Sequence, residues 1–144
     1  MLVDANLLLY ATDHSSAHHE ASKRWLETVL RQNRRVGLPW QSIGAFLRIS
    51  TNPRAFARPI TDAQAWSQVR RWLDAPPTWI PPATERTASI LGELVVRHQV
   101  TANLVPDAML AALAIENGLT IMSADTDFAR FPEARWGNPI GSAG

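Results

Sequence analysis

The sequence predicts an α/β sandwich with a short, mostly parallel central sheet flanked by helices. Three observations predict it. Short apolar runs that read as buried strands alternate with longer segments of helical periodicity. Most boundaries between them carry proline, glycine or a helix-capping residue. The length of 144 residues and the 46% apolar content fit one domain with a single substantial core.

The elements follow in order. Residues 1–4 form an apolar run closed by Asp4, a buried strand. Residues 6–12 stay apolar without a breaker, so a helix follows at once. His14, Ser15 and Ser16 supply capping chemistry. Residues 17–32 then read as an amphipathic helix with Ala21, Trp25, Leu26, Val29 and Leu30 on one face. Residues 34–38 are a short strand entry. Pro39 opens a helix to about Thr51, with Ile43, Phe46, Leu47 and Ile49 inside, and Asn52-Pro53 ends it.

Thr61-Asp62 starts the next helix, whose apolar face carries Trp66, Val69 and Leu73 until Ala75-Pro76-Pro77 breaks it. Thr78-Trp79-Ile80 is a strand closed by Pro81-Pro82. Thr84-Glu85 opens a helix reaching His98. Residues 106–117 are the clearest helix, with Pro106 at the start and Gly118 just past the end. Residues 119–122 form a strand, 125–131 a short helical turn and 134–136 a last strand. The domain is expected to span 1–136. Residues 137–144, rich in Gly, Pro and Ser, are expected to be a flexible tail.

Composition excludes several chemistries. With no cysteine, disulfides and thiolate metal sites are ruled out, so any metal is held by oxygen or histidine nitrogen. No apolar run reaches the roughly 20 residues of a membrane helix. The start, with Asp4 and no positively charged leader, reads as a mature cytoplasmic one. Net charge is +1. Lys23 is the only lysine; every other basic residue is arginine, whose planar fork suits phosphate. Codon bias explains that excess equally well, so composition assigns no partner.

In a parallel α/β sheet the active site lies beyond the carboxyl ends of the strands. Asp4 ends the first strand, Asp107 lies in the first turn of the helix at 106–117, and Asp125 follows the strand at 119–122, with Asp127 two residues on. Each alone has an ordinary role as a helix cap or dipole partner. Together they form a set of carboxylates on element junctions. Clustered carboxylates repel unless a cation neutralises them, and Mg²⁺ is the natural oxygen-liganded partner for phosphate chemistry.

These residues also resemble a family. Leu2-Val3-Asp4-Ala5-Asn6-Leu7-Leu8 looks like the opening of PIN domains, as does the helix from Pro106-Asp107-Ala108 through Ala114. Ser123-Ala124-Asp125-Thr126-Asp127-Phe128 resembles the family's closing motif. The middle, from Gly37-Leu38-Pro39-Trp40 through Phe46-Leu47-Arg48 to Asn52-Pro53-Arg54, is similar to a subgroup of VapC toxins. The resemblance covers nearly the whole chain. It implies a PIN-like three-layer sandwich and a Mg²⁺-dependent endoribonuclease, with Mn²⁺ able to substitute. It further implies a toxin that a VapB-type antitoxin neutralises and a homodimer. Asp4, Asp107 and Asp125 become the expected metal ligands, Asp127 a fourth acid, and Asn6 a polar residue facing the site.

One departure stands out. Many PIN domains carry a glutamate just before the Phe-Leu-Arg-like run. Here Ser42-Ile43-Gly44-Ala45-Phe46 holds no acid. Either Asp127 supplies the charge or the site holds one ion well rather than two, with weaker metal affinity. A degenerate domain that binds RNA or a partner without cutting is therefore a rival reading. A phosphatase of the haloacid dehalogenase type also begins with a strand ending in aspartate, but it needs a second aspartate where Asn6 stands.

Other candidates are weaker. His14 and His18 are spaced to share a metal, yet no third ligand is evident and a solvated polar segment is the simpler reading. Neither a nucleophile elbow nor a Gly-rich phosphate loop occurs. Trp25 and Trp66 fall on apolar faces and are expected in the core. Trp40 and Trp136, near element ends, are candidates to stack on a base. Arg48, Arg54 and Arg58 are candidate contacts to an RNA backbone.

Overall fold

Leu2 and Val3 make up the central strand, and the two side chains leave on opposite faces into two different cores. In this computed structural model residues 1–141 are described. The strand β1 (Leu2–Val3) pairs in parallel with β2 (Val36–Gly37) and with β4 (Thr120–Met122); β3 (Thr78–Trp79) lies beyond β2 and β5 (Arg135–Gly137) beyond β4. The sheet order is β3-β2-β1-β4-β5, and every pairing among the described residues is parallel. Leu2 faces Gly37 on one side and Ile121 on the other. Gly37 is required there: a Cβ would come within 2.8 Å of Pro81 Cγ and 3.0 Å of the Met1 carbonyl oxygen.

The chain winds outward from β1 through β2 to β3, then crosses back to β4 and β5 on the other side. The crossover makes a switch point at the carboxyl ends of β1 and β4, where a crevice opens. Six helices cover the two faces: α1 (Ala5–Thr12), α2 (His19–Val29), α3 (Trp40–Ser50), α4 (Asp62–Asp74), α5 (Thr87–Arg97) and α6 (Val105–Asn117). One core sets Val3, Leu7, Leu26, Phe46, Val69 and their neighbours under α1–α4. The other sets Leu2, Leu94, Leu110, Leu113, Phe128 and Phe131 under α5 and α6. The expected three-layer α/β sandwich is present. No helix of the described residues is long and apolar enough to cross a membrane.

Four expectations need correction. The helix after the histidines begins at His19, not residue 17, because Asp13 Oδ1 accepts from Ser15 N and Ser16 Oγ from His18 N, each at 3.0 Å. Those local turns compete with helix formation. Its buried face is His19, Ser22, Leu26 and Val29, while Ala21 is exposed. Trp66 is 46% exposed rather than buried. The inward face of α4 is Ala65, Val69 and Trp72, rotated by one residue, and Trp72 rather than Trp66 stacks edge-on against Phe46. Finally, the last strand runs from Arg135 to Gly137 rather than from 134 to 136. Gly137 completes β5, and Ile140 packs against the core beneath α1–α4. Of the expected flexible tail, residues 142–144 lie outside the described residues.

Capping is legible locally. Thr61 and Gln64 form a reciprocal capping box at α4. Gly118 takes the left-handed conformation (φ 65°) that ends α6.

Candidate metal centre

Asp4 ends β1 and caps α1, accepting from Ala5 N at 2.8 Å. Its backbone N–H donates to the Met122 carbonyl at 3.0 Å, which fixes the ends of β1 and β4 side by side. Immediately after β4 stands Ser123, fully buried. Its hydroxyl donates to Asp4 Oδ2 at 2.7 Å and accepts from Asn6 Nδ2 and from Asp125 N, both at 3.0 Å. The Ser123 carbonyl in turn accepts from Trp136 Nε1 at 3.0 Å. One serine thus ties the first strand, the first helix and the final acidic turn together.

Asp125 caps the short 3₁₀ turn Thr126–Arg130 by accepting from Asp127 N at 2.8 Å. That bond places the two carboxylates of the turn near each other. Asp107, in the first turn of α6, faces them. Oxygens of Asp107, Asp125 and Asp127 lie within 4.8 Å of one another. Asp127 therefore belongs to the tightest group, whereas Asp4 stands beside it, engaged with Ser123 and Ala5.

The electrostatics show unrelieved repulsion. Burial pushes Asp107 up to about 6, and the charges of Asp125, Asp4 and Asp127 push the same way. Burial also raises Asp4 above the usual carboxylate range. The hydrogen bonds from Ser123 and Ala5 oppose that rise, and the charge of Asp125 adds to it. Arg130 comes no nearer to Asp127 than 3.7 Å and is exposed, so it offers little relief. A group of oxygen donors with this unspent negative charge suits a hard divalent cation. The donor set of Asp107, Asp125 and Asp127 therefore fits a divalent metal ion.

A cleft of about 320 Å³ runs from Asp4 and Asp107 to Trp40 and Arg48, floored by Ser42, Gly44 and Ala45 of α3. Gln41 Nε2 donates to the Pro106 carbonyl at 2.7 Å and so holds α3 against the start of α6 across this cleft. The position of the missing glutamate, Ala45, faces the cleft with no charge to offer.

The remaining candidates separate cleanly. Asn6 faces the site, but its amide is spent on Ser123 and, at 3.4 Å, on Ala124 N. Arg48 lines the cleft; Arg54, in the turn after α3, and Arg58 are not among its lining residues. Trp40 is 57% exposed at the cleft mouth. Trp136 is half-buried, packs against the core under α5 and α6, and donates its Nε1–H to the Ser123 carbonyl. The histidines gather no metal-ligand cluster among the described residues; His19 is buried, with Nδ1 2.9 Å from the Tyr10 carbonyl oxygen. In the sequence Ser123 lies within the Ser123–Phe128 motif, which by itself assigns it no role. Its signal was position: a small hydroxyl at the first residue past a buried strand.

Comparisons with known proteins point to one family. The family model described as PIN domain matches residues 1–134. The chain is 44% identical over 138 residues to Ribonuclease VapC37 of Mycobacterium tuberculosis, covering 96% of each. It is 35% identical over 140 residues to Ribonuclease VapC33 of the same organism, covering 97% of this chain and 98% of that one. Among solved structures, VapBC2 from Rickettsia felis bound to a DNA fragment from their promoter superposes with a TM-score of 0.71 at 17% identity. That match covers 95% of this chain and 96% of the other. The Mycobacterium tuberculosis VapC20 toxin, described as cleaving the sarcin-ricin loop, gives 0.67 at 18% identity over 93% and 98% of the two chains. At those identities the two structures share the fold.

Proposed function

The chain belongs to the PIN-domain family, and from that premise we propose that it is a metal-dependent endoribonuclease, the toxin of a pair neutralised by a VapB-type antitoxin. The observation that carries this reading is the convergence of Asp107, Asp125 and Asp127 within 4.8 Å beside Asp4. Its relatives' names, Ribonuclease VapC37 and Ribonuclease VapC33, support the same activity.

Asp107, Asp125 and Asp127, with Asp4 adjoining, are the residues that would hold Mg²⁺ or, in its place, Mn²⁺. When bound, such an ion supplies a Lewis-acid centre for a phosphodiester. The chain's own residues do the rest. Ser123 orients Asp4 and fixes the backbone that carries Asp125. Asn6 holds Ser123 in the rotamer that serves both. Gln41 keeps the two walls of the cleft at fixed spacing. Arg48 lines the same cleft as Asp107 and would meet a phosphate of RNA entering it.

The experiment is cleavage of labelled RNA by the purified chain with Mg²⁺ or Mn²⁺ against EDTA, with Asp107→Asn alongside. Metal-dependent cuts that vanish in a folded variant support the reading. RNA binding without cuts in either metal would replace it with the non-cleaving domain. Release of phosphate from a monoester would replace it with the phosphatase. Loss of toxicity on co-expression of a VapB-type protein, should one be encoded beside this chain, tests the pairing.

A further inference from the structure

The acidic centre occupies the carboxyl end of the sheet. The opposite end carries the reverse charge. A concavity of about 560 Å³ lies at the amino ends of β1, β2, β4 and β5, lined by Met1, Arg34, Arg35, Gly118, Thr120 and Arg135 among others. Three guanidinium groups share it. All three residues are exposed, and none forms an ion pair among the described residues.

Two of the three arginines are held in place. Arg135 Nη2 donates to the Gly118 carbonyl at 2.8 Å, at the end of α6 where the helix dipole favours a cation. Arg35 sits over the Trp79 ring, its Cζ 3.8 Å from the centroid. Stacking on the ring uses the face of that guanidinium and leaves its edge N–H groups to donate outward. Arg34 forms no contact of this kind and adds charge alone. Burial lowers the pKa of the Met1 amino group, and the nearby charges of Arg34 and Arg135 lower it further. Cations gathered without a carboxylate call for an anion, as the acids at the other end call for a metal.

We propose that the concavity of Arg34, Arg35 and Arg135 is a phosphate-binding surface that grips RNA remote from the acidic centre. This rests on the ribonuclease reading above. The favoured ligand is a nucleic-acid backbone because all three side-chain cations are arginines, and two of them are held, one on an aromatic face and one at a helix end, with a fork geometry suited to phosphate. It also answers a difficulty of the molecule: a polyanion approaching the acidic end is repelled, so holding it needs positive surface elsewhere.

The test is equilibrium binding of a labelled RNA of a few tens of nucleotides, in EDTA to prevent cleavage, across a salt series. The intact chain is compared with Arg34→Gln/Arg35→Gln/Arg135→Gln. Each phosphate contact contributes about 0.7 to the slope of log affinity against log salt. The triple variant is therefore expected to lower that slope by about 2. At about 0.1 M salt the loss corresponds to roughly fivefold in affinity per arginine. If the triple variant fails to fold, Arg34→Glu, which disturbs no intramolecular bond, should still lower slope and affinity in the same direction.

Unchanged affinity and slope in folded variants would overturn the proposal while leaving the ribonuclease reading intact. An intact chain that neither binds RNA here nor cuts it with metal would remove both. If the variants lose binding of polyglutamate but keep that of RNA, the surface serves an acidic polypeptide and the proposal fails.

Discussion

The Ser123 hydroxyl, fully buried, donates to Asp4 Oδ2 at 2.7 Å across 119 residues of chain. Because the same oxygen accepts from Asn6 and from the Asp125 backbone, one small side chain sets the direction of the first carboxylate and the path of the last acidic turn. Groups that orient metal ligands in this way commonly matter nearly as much as the ligands.

Ser123→Ala should lower RNA cleavage by about 10–100-fold, with the loss recovered in part by raising the metal concentration. Ser123→Thr, which keeps the hydroxyl, should recover most of the activity. Equal activity of the alanine and threonine variants would show that the hydroxyl positions nothing of consequence.

Asp107→Asn should abolish cleavage and stabilise the fold at neutral pH in EDTA. The sign follows from the raised value of about 6 against 3.8. Between those two values the folded chain keeps a proton that the unfolded chain has released. Stability from this group therefore falls as pH rises through that window, and the cost is fully present above it. Asp107 is only partly buried, so the gain is discounted to about 1 kcal/mol, a rise in Tm of about 2–4 °C. Thermal melts at neutral pH and below the ordinary carboxylate value should show the gain in the first condition and none in the second. A variant that melts lower at neutral pH would contradict the repulsion.

Metal affinity should weaken as pH falls through about 6, because protonated Asp107 no longer offers a charged oxygen. Calorimetric titration of Mn²⁺ into the intact chain at neutral and at mildly acidic pH measures this directly. Proton release on binding should be detectable near the lower pH. Affinity that is flat across the range would place the ion away from Asp107.

Ala45→Glu should tighten Mn²⁺ binding by at least about tenfold, since ligand charge count tunes affinity over decades. Ala45 lines the cleft of about 320 Å³ beside Asp4 and Asp107. There is space for the larger side chain. A variant that folds normally but binds metal no better would mean that the fourth acid from α3 is not what limits this centre.

Much of the site could be read from the chain. Asp4, Asp107 and Asp125 announced themselves as carboxylates on element junctions, because strand ends and helix first turns are local features of sequence. The order of importance could not be read. Asp127 enters the tightest group and Asp4 stands beside it because the 3₁₀ turn after β4 folds Asp127 N onto Asp125. Trp66 and Trp136 show the same limit. The periodicity of α4 fits two faces one residue apart, and only packing against Phe46 selects Trp72 over Trp66. The commitment of Trp136 to the Ser123 carbonyl is a cross-strand relation with no trace in its neighbours.

The sequence by itself determined the alternation of strands and helices, the caps at Thr61 and Gly118, and the set of acids available for a metal. These depend on periodicity, backbone preference and side-chain chemistry, which act over a few residues. The tertiary structure decided which acids meet, that Ser123 links them, and that three arginines collect at the far end of the sheet. Those outcomes depend on the crossover from β3 to β4 and the register of Leu2 against Gly37 and Ile121. They bring together groups as much as 119 residues apart, through contacts that exist only once both cores are packed.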